Sequence, residues 1–216
     1  MFSGLVREVA RVKSFANHRL EIYTDYKARI GDSIAVNGAC LTAIRLFQGG
    51  VAMELSSHTQ EHIAIENFHQ GAFVHIEPAL SMGDRFDGHI VQGHVDGIGV
   101  VRHISHKQDS SDFFIQTQAS MLRLMIPKGS VCVDGISLTI VDSTSDGFWL
   151  TIIPHTLKNT LFGQYHIGRR VNIESDIITR TVANTLQSFL ENNKRGSSPT
   201  WSDATWCDID SINLSY

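Results

Sequence analysis

The sequence predicts an all-β fold of two tandem six-stranded Greek-key β-barrels, related by an internal duplication and followed by a C-terminal α-helix. Three observations predict it. The 216-residue chain repeats itself at a spacing of 97 residues, apolar positions inside each repeat recur every second residue, and the period lengthens to four after Asp176.

The repeat carries most of the weight. "VNGACLTA", residues 36–43, returns as "VDGISLTI", residues 133–140, and residues 31–77 align on residues 128–174 without a gap. Thirteen of those 47 pairs are identical, against about three expected by chance, and loops that keep their lengths mark a duplicated structural unit. Each unit opens on a short glycine-containing strand. A four-residue adjustment lays "MFSGLV" on "HVDGIGVV" through Gly4 and Gly97, which sets His94 opposite Met1. Strands such as Ser33-Ile34-Ala35-Val36 and Phe148-Trp149-Leu150-Thr151-Ile152-Ile153 follow, punctuated by Gly, Asp and Asn. Each unit ends on a V-x-I-E strand, in "GAFVHIE" and "GRRVNIE". About six short strands in about 90 residues are too few for a broad sandwich, and a closed barrel leaves the fewest edges exposed. The join falls within 83–93, which gives barrels over 1–90 and 91–176. Ile178, Val182, Leu186 and Leu190 then recur every fourth residue. A helix over 177–191 is expected, with Asp176 as its N-cap. Residues 192–216, rich in Ser, Asp and Asn and without periodicity, read as a flexible tail with Trp201 and Trp206 as its only anchors.

Composition removes several function classes. With 18 Lys and Arg against 22 Asp and Glu, there is no basic surplus for a phosphate backbone, so nucleic acid is not an expected partner. The three cysteines, Cys40, Cys132 and Cys207, are odd in number and lack CxxC or Cys/His ligand spacing, which argues against a disulfide framework or a zinc site. No apolar run approaches the roughly 20 residues of a membrane span, and "MFSGLVREVARVKSF" shows no signal-peptide pattern. A soluble, cytoplasmic protein is expected.

Candidate chemistry gathers where the copies match. The L-T pairs (Leu41-Thr42 and Leu138-Thr139) and the H-T pairs (His58-Thr59 and His155-Thr156) sit at equivalent places. A threonine hydroxyl both donates and accepts, so such points suit a heterocycle with alternating polar edge atoms. The alternative is ordinary strand threonines beside turn glycines, and retention in both copies favours binding. Other positions differ between copies: Cys40 stands opposite Ser137. Cys40 is either a nucleophile or a small buried apolar residue, and His94 either carries a proton or is a structural imidazole. Asp176 either orients His94 or caps the helix. Lys128 either meets an anionic or phenolic ligand edge or is simply solvated. His62, His69, His75, His89, His103, His106 and His166 form no evident metal-ligand spacing.

Taken together, "MFSGLV", "NGACLT", "GDRFDGHIVQGHVDG", "KGSVCVDGISLT", "IIPHTL" and "VNIESD" resemble the riboflavin synthase family over about residues 1–190. The resemblance implies two similar six-stranded barrels, a trimerisation helix and a homotrimer, with lumazine synthase as a further partner. It implies a transferase that dismutates two molecules of 6,7-dimethyl-8-ribityllumazine, giving riboflavin and a ribitylamino-pyrimidinedione by four-carbon transfer, with no cofactor and no metal. Carried onto matching positions, the first-barrel contacts are Gly4, Leu5, Val6, Cys40, Leu41, Thr42, Glu54, Leu55, Ser56, Ser57, His58 and Thr59. The second-barrel contacts are Gly93, His94, Val95, Lys128, Ser137, Leu138, Thr139, Ile153, Pro154, His155, Thr156, Leu157 and Lys158. Ser33, Cys40, His94, Ser137, Thr139 and Asp176 match positions implicated in the family's chemistry. His58 and His155 stand where the family has glutamate, and Phe86-Asp87 replaces a common Leu-Gly. Lumazine proteins share the fold and hold lumazine or flavin without turnover; the retained Ser137, Thr139, Thr156 and His94 favour the enzyme. A flavin-reductase reading fails for want of a βαβ unit or a G-x-G-x-x-G motif.

Overall fold

Two-residue period becomes two closed antiparallel barrels. The structure, a computed structural model, describes residues 1–194. Residues 192–194 continue the last helix, and the rest of the expected tail, with Trp201, Trp206 and Cys207, lies outside the described residues. The first barrel comprises β1 (Glu8–Ala16), β2 (Arg19–Tyr23), β3 (Ser33–Val36), β4 (Ala39–Phe47), β5 (Gly50–Glu54) and β6 (Phe73–Pro78), closed in the order β1-β2-β5-β4-β3-β6. A short helix α1 (Ser57–His62) bridges β5 to β6. The second barrel repeats the order with β7 (Gly97–His106), β8 (Ser111–Gln116), β9 (Ser130–Val133), β10 (Ile136–Ser143), β11 (Gly147–Ile152) and β12 (Arg170–Ser175). It carries α3 (Pro154–Asn159) where the first carries α1, and an added α2 (Ala119–Leu122) before β9. The last helix, α4, spans Ile177–Lys194, slightly longer than expected. Of the described residues, 178–194 form a unit separate from the barrels. The stripe Ile178, Val182, Leu186 and Leu190 on α4 is exposed. No helix among the described residues is long and apolar enough to cross a membrane.

The duplication extends to irregularities. β1 breaks register between Val12 and Ser14 against β2, and β7 does so between Val101 and His103 against β8. β4 and β10 break between Ala43 and Arg45 and between Ile140 and Asp142. Such bulges bend a strand enough to close a small barrel. Inside the first barrel, Leu20, Ile22, Ile34, Val36, Met53 and Phe68 are fully buried; each such side chain contributes roughly 1.5–3 kcal/mol relative to exposure.

The barrels meet at two hairpin tips. Asn37-Gly38 joins β3 to β4, and Asp134-Gly135 joins β9 to β10, with φ of +44° and +79° in the first and +44° and +85° in the second. Two positive-φ residues are what a tight I′ hairpin demands. A Cβ on Gly38 would lie 2.8 Å from the Gly135 nitrogen, and one on Gly135 would lie 2.9 Å from that of Gly38. Only glycine fits both tips.

A buried polar network crosses this contact with approximate twofold symmetry. His75 N–H donates to Asn37 Oδ1 (2.8 Å), as Asn172 N–H donates to Asp134 Oδ1 (2.7 Å). Across the interface His75 Nδ1 reaches the Asp134 carbonyl (2.9 Å), and Asn172 Nδ2 donates to the Asn37 carbonyl (2.8 Å). Each then receives a backbone N–H from a connecting segment: Leu161 to His75 Nε2 (2.8 Å) and Ala64 to Asn172 Oδ1 (2.7 Å). His75 is thereby held neutral, with burial pushing its pKa down to about 4. The symmetry stops at one atom pair. Asp134 Oδ2 accepts from the Tyr165 hydroxyl (2.6 Å) and lies 3.7 Å from Arg169, whereas Asn37 Nδ2 has no partner among the described residues.

Candidate functional site

The V-x-I-E strands end on glutamates that grip the chain entering each barrel. Glu77, on β6, accepts from Ser3 N–H (2.8 Å), the Ser3 hydroxyl (2.8 Å) and Gly4 N–H (3.0 Å). Glu174, on β12, accepts from the N–H groups of Gln92 (2.7 Å), Gly93 (2.9 Å) and His94 (3.0 Å). Both carboxyls are buried, which raises their pKa against the pull of those donors; Glu174, with Asp96 adding repulsion, reaches about 7. The gripped glycines match in conformation, φ +77° at Gly4 and +79° at Gly93. These correspondences correct the alignment: Gly4 pairs with Gly93, so Leu5, not Met1, stands opposite His94. The adjustment is eight residues rather than four, absorbed partly in the longer β7–β8 hairpin and partly between β8 and β9 where α2 is inserted.

Each gripped glycine leans on the other barrel. Ser137 N–H on β10 donates to the Gly4 carbonyl (2.8 Å), and Cys40 N–H on β4 donates to the Gly93 carbonyl (2.8 Å). A Cβ at Gly4 would lie 2.7 Å from Ser137 Cβ, and one at Gly93 2.6 Å from Cys40 Cβ. The expected grouping by chain order is therefore not the grouping in space. Gly93, His94 and Val95 belong beside Cys40 of the first barrel. Gly4 belongs beside Ser137 of the second, with Leu5 and Val6 following it in the chain.

Around Cys40 there is a cavity of about 240 Å³, lined by Ala39, Cys40, His58, Thr59, His62, Ile63, Gly93, His94 and Val95. A second, more open hollow of about 590 Å³ is bounded by Thr42, Glu54, Leu55, Ser56 and Ser57, with Asn17, His18 and Ile44. Thr42 pairs with Ser33 across the β3–β4 ladder and with Glu54 across β4–β5. Ser56 caps α1, its hydroxyl accepting from Thr59 N–H (3.0 Å). Alternation along β4 puts Cys40 and Thr42 on one face and Leu41 on the other, and Leu41 is buried in the barrel core. Leu55 is buried there too.

In the second barrel Ser137 and Thr139 share a face of β10, opposite Cys132 and Ser130 of β9; Leu138 is half-buried. Lys128 is exposed in a left-handed conformation, φ +68°, and its N–H bonds the Ile140 carbonyl (2.7 Å). Ile153 precedes α3 as its N-cap, and Pro154 takes the first turn. Ile153, Pro154, His155 and Lys158 are exposed; Thr156 and Leu157 are half-buried.

His89 is the residue that sequence reasoning missed. It is buried, its Nδ1 shares a 2.6 Å hydrogen bond with the Ser137 hydroxyl, and its Nε2 has no partner among the described residues. Burial lowers its pKa, and the negative charge of Asp176 opposes that shift. Asp176 thus acts electrostatically on His89, in addition to preceding α4. The only signal available was the doubled Gly-His in "GHIVQGHVDG"; His89 lies outside the gap-free repeat, so no twin drew attention to it. Cys132 is buried beside Glu174 and Glu77, and its thiol is pushed well above the usual range by burial first, so it is chemically inert. One group departs from the expectation that the histidines show no ligand spacing: the ligand atoms of His58, Glu61 and His62 lie within 4.8 Å of one another.

Comparison with known proteins bears on what these two half-sites hold. The lumazine binding domain model matches residues 3–79 and 92–176, starting in each half at the glutamate-gripped segment. Riboflavin synthase of Actinobacillus pleuropneumoniae is 34% identical over 193 residues, covering 86% of this chain and 90% of that protein. Riboflavin synthase of Bacillus subtilis (strain 168) is 33% identical over 199 residues, covering 89% and 93%. Among solved structures, LumP complexed with 6,7-dimethyl-8-(1'-D-ribityl) lumazine superposes with a TM-score of 0.73 at 20% identity, over 81% of this chain and 99% of that one. LumP complexed with riboflavin gives 0.75 at 19%, over the same shares; at such identity the likeness speaks for the fold. With both halves matched by one domain model and relatives aligned over nearly the whole barrel pair, this chain belongs to the riboflavin synthase family of lumazine-binding proteins.

Proposed function

We propose that the chain is a riboflavin-forming transferase: two 6,7-dimethyl-8-ribityllumazine molecules react, one giving up a four-carbon unit to the other, and riboflavin and 5-amino-6-ribitylamino-pyrimidinedione leave. The observation that carries the reading is the pair of equivalent, polar-edged half-sites, one at Cys40 and Thr42 and one at Ser137 and Thr139, each completed by a glutamate-gripped segment. A single ligand would need only one.

The reaction removes a proton from the C7 methyl group of one lumazine, adds a nucleophile at C7 of the other, and joins carbons between rings held in contact. In the second half-site, Ser137, His89 and Asp176 form a chain suited to proton transfer: the hydroxyl meets the ligand side, the buried imidazole takes or returns its proton, and the carboxylate favours the charged imidazole. In the first, Cys40 and His94 face one cavity, with His58 and Thr59 on its wall. Thr42, Thr139 and Thr156 supply two-way hydrogen bonding to the heterocycle edge, Ser33 supports Thr42 from the neighbouring strand, and Lys128 meets the anionic edge of the second ligand.

The working site is proposed to join the first half-site of one chain to the second of a neighbour in a homotrimer, with α4 as the assembly element. Its exposed apolar stripe supports that role. The protein is expected in the cytoplasm, and lumazine synthase is the expected supplier of substrate. Incubation with the lumazine alone tests the activity. Riboflavin fluorescence that grows with time and with enzyme concentration is the expected result; ligand emission that shifts once and then stays constant would indicate a non-catalytic lumazine or flavin carrier.

A further inference from the structure

The first-copy helix α1 spells His58-Thr59-Gln60-Glu61-His62. Residues at i, i+3 and i+4 share one helical face, and here their ligand atoms lie within 4.8 Å of one another. The two imidazoles are already side by side, with ring centroids 4.3 Å apart. His62 Nδ1 is engaged by the His58 carbonyl at 2.7 Å, which leaves Nε2 as the free lone-pair nitrogen. That is the arrangement in which a histidine is oriented for a metal by its other nitrogen. Tetrahedral zinc at about 2.0–2.1 Å from nitrogen or oxygen spaces its ligand atoms about 3.3 Å apart. All three side chains are exposed, so rotation about side-chain bonds suffices to close the set. The backbone beneath is fixed, by the Ser56 cap at one end and by the Ala64 N–H to Asn172 Oδ1 bond (2.7 Å) just past the other.

The second copy is an internal control. At the equivalent positions α3 carries His155, Lys158 and Asn159. Asn159 Nδ2 donates to the His155 carbonyl at 2.7 Å, reproducing the bond of His62 to His58. Asparagine therefore meets the structural need at that position. The second imidazole nitrogen of His62 and the carboxylate of Glu61 are additions that helix stability does not require.

We propose that His58, Glu61 and His62 bind one divalent transition ion of the zinc class, and that the bound ion closes the cavity at Cys40. Two imidazoles and a carboxylate favour zinc, nickel or copper over magnesium or calcium. His58 and His62 line that cavity, so an ion drawn between them stands in the wall against which a ligand packs. The second half of the proposal rests on the reading of the cavity as a lumazine site.

Calorimetric titration of the full chain with zinc chloride alone, in a non-chelating buffer, tests the first half. One ion per chain is expected. Glu61→Lys with His62→Asn, which installs the second-copy residues, should weaken binding at least tenfold, and Lys158→Glu with Asn159→His should add a second ion. Absence of stoichiometric binding, or binding untouched by the first pair of substitutions, would overturn the site. Lumazine titration with and without zinc tests the second half. Zinc should weaken one of two lumazine sites at least tenfold in the wild type and leave both unchanged in the Glu61→Lys, His62→Asn variant. Zinc bound through the triad with both lumazine affinities intact would overturn closure of the cavity. A wild type that takes up only one lumazine without zinc would count against the cavity as a ligand site, while the zinc titration would stand by itself.

Discussion

The first and second barrels agree in backbone and disagree in chemistry. Strand order, bulge positions, hairpin tips and glutamate grips recur pair by pair. Yet Cys40 corresponds to Ser137, His94 to Leu5, and the triad His58, Glu61 and His62 to His155, Lys158 and Asn159. Among the described residues, Ser137 of the second half-site has a buried imidazole behind it, and Cys40 of the first has none. The difference teaches that what the duplication held constant is the frame that makes each half-site from both barrels. Residues that project from the frame were free to diverge, and so two copies of one unit carry different side chains at equivalent places.

The sharpest way to break the comparison is to remove what only one side has. His89→Ala should lower kcat by about 10²–10⁴-fold, the range of a positioned acid–base group, with a much smaller change in KM. Steady-state kinetics checks this, and His89→Gln should not restore the rate, because an amide can hydrogen-bond but neither takes up nor releases a proton near neutral pH. An unchanged kcat would return His89 to a purely structural role.

The shared frame is the next target. Gly38→Ala places a side chain at φ +79° and 2.8 Å from the Gly135 nitrogen. A destabilisation of about 2–4 kcal/mol is expected from denaturant unfolding, since backbone on the facing tip cannot yield cheaply. Gly135→Ala should cost a similar amount, because the tips are reciprocal.

A smaller effect probes the one place where the interface network is lopsided. Asp134→Asn removes the carboxylate that meets Tyr165 and Arg169 and should destabilise by about 1–3 kcal/mol. Asn37→Asp should also destabilise, because a carboxylate there would be buried where no Tyr–Arg pair exists to meet it.

A further difference lies in the pH dependence. Burial raises the Glu174 pKa from its ordinary 4.5 to about 7, so the folded state holds that proton more tightly than the unfolded chain. Its contribution to stability is complete below about pH 4.5 and is lost as pH rises through about 7. Unfolding measured at pH 5 and pH 8 should show Glu174→Gln gaining on the wild type as pH rises. His75 has the opposite sign: with its pKa lowered to about 4, its contribution is present above its ordinary 6.5 and is lost as pH falls through 4.

Much of this was legible in the sequence. Alternation in β3 and β11, the repeated Asn-Gly and Asp-Gly turns and the four-residue period of α4 each report a local preference that the fold obeys. The gap-free stretch from 31 to 77 kept equivalent residues in equivalent places. Outside it, insertions in the β7–β8 hairpin and around α2 hid the pairing of Gly4 with Gly93, and with it the true twin of His94. The crosswise construction was not legible because it depends on where two entering segments run after the barrels dock. No local preference records that Gly93 approaches Cys40 rather than Ser137. His89 escaped for a related reason: its partners Ser137 and Asp176 lie 48 and 87 positions further along the chain.

The crosswise construction sets Gly93–Val95 beside Cys40 and Gly4 beside Ser137. Subunit mixing tests it most directly. Three variants, Cys40→Ala, His94→Ala and Ser137→Ala, are each assayed alone, and then unfolded and refolded in pairs with mixed oligomers confirmed. His94→Ala with Ser137→Ala damages opposite half-sites, so an intersubunit site should be whole in about a quarter of interfaces, each requirement being met about half the time. Activity should return accordingly. Cys40→Ala with His94→Ala damages the same half-site in every chain and should stay at the level of its parents. Recovery in that second pair would contradict the crosswise half-sites, and no recovery in either pair would contradict the intersubunit site.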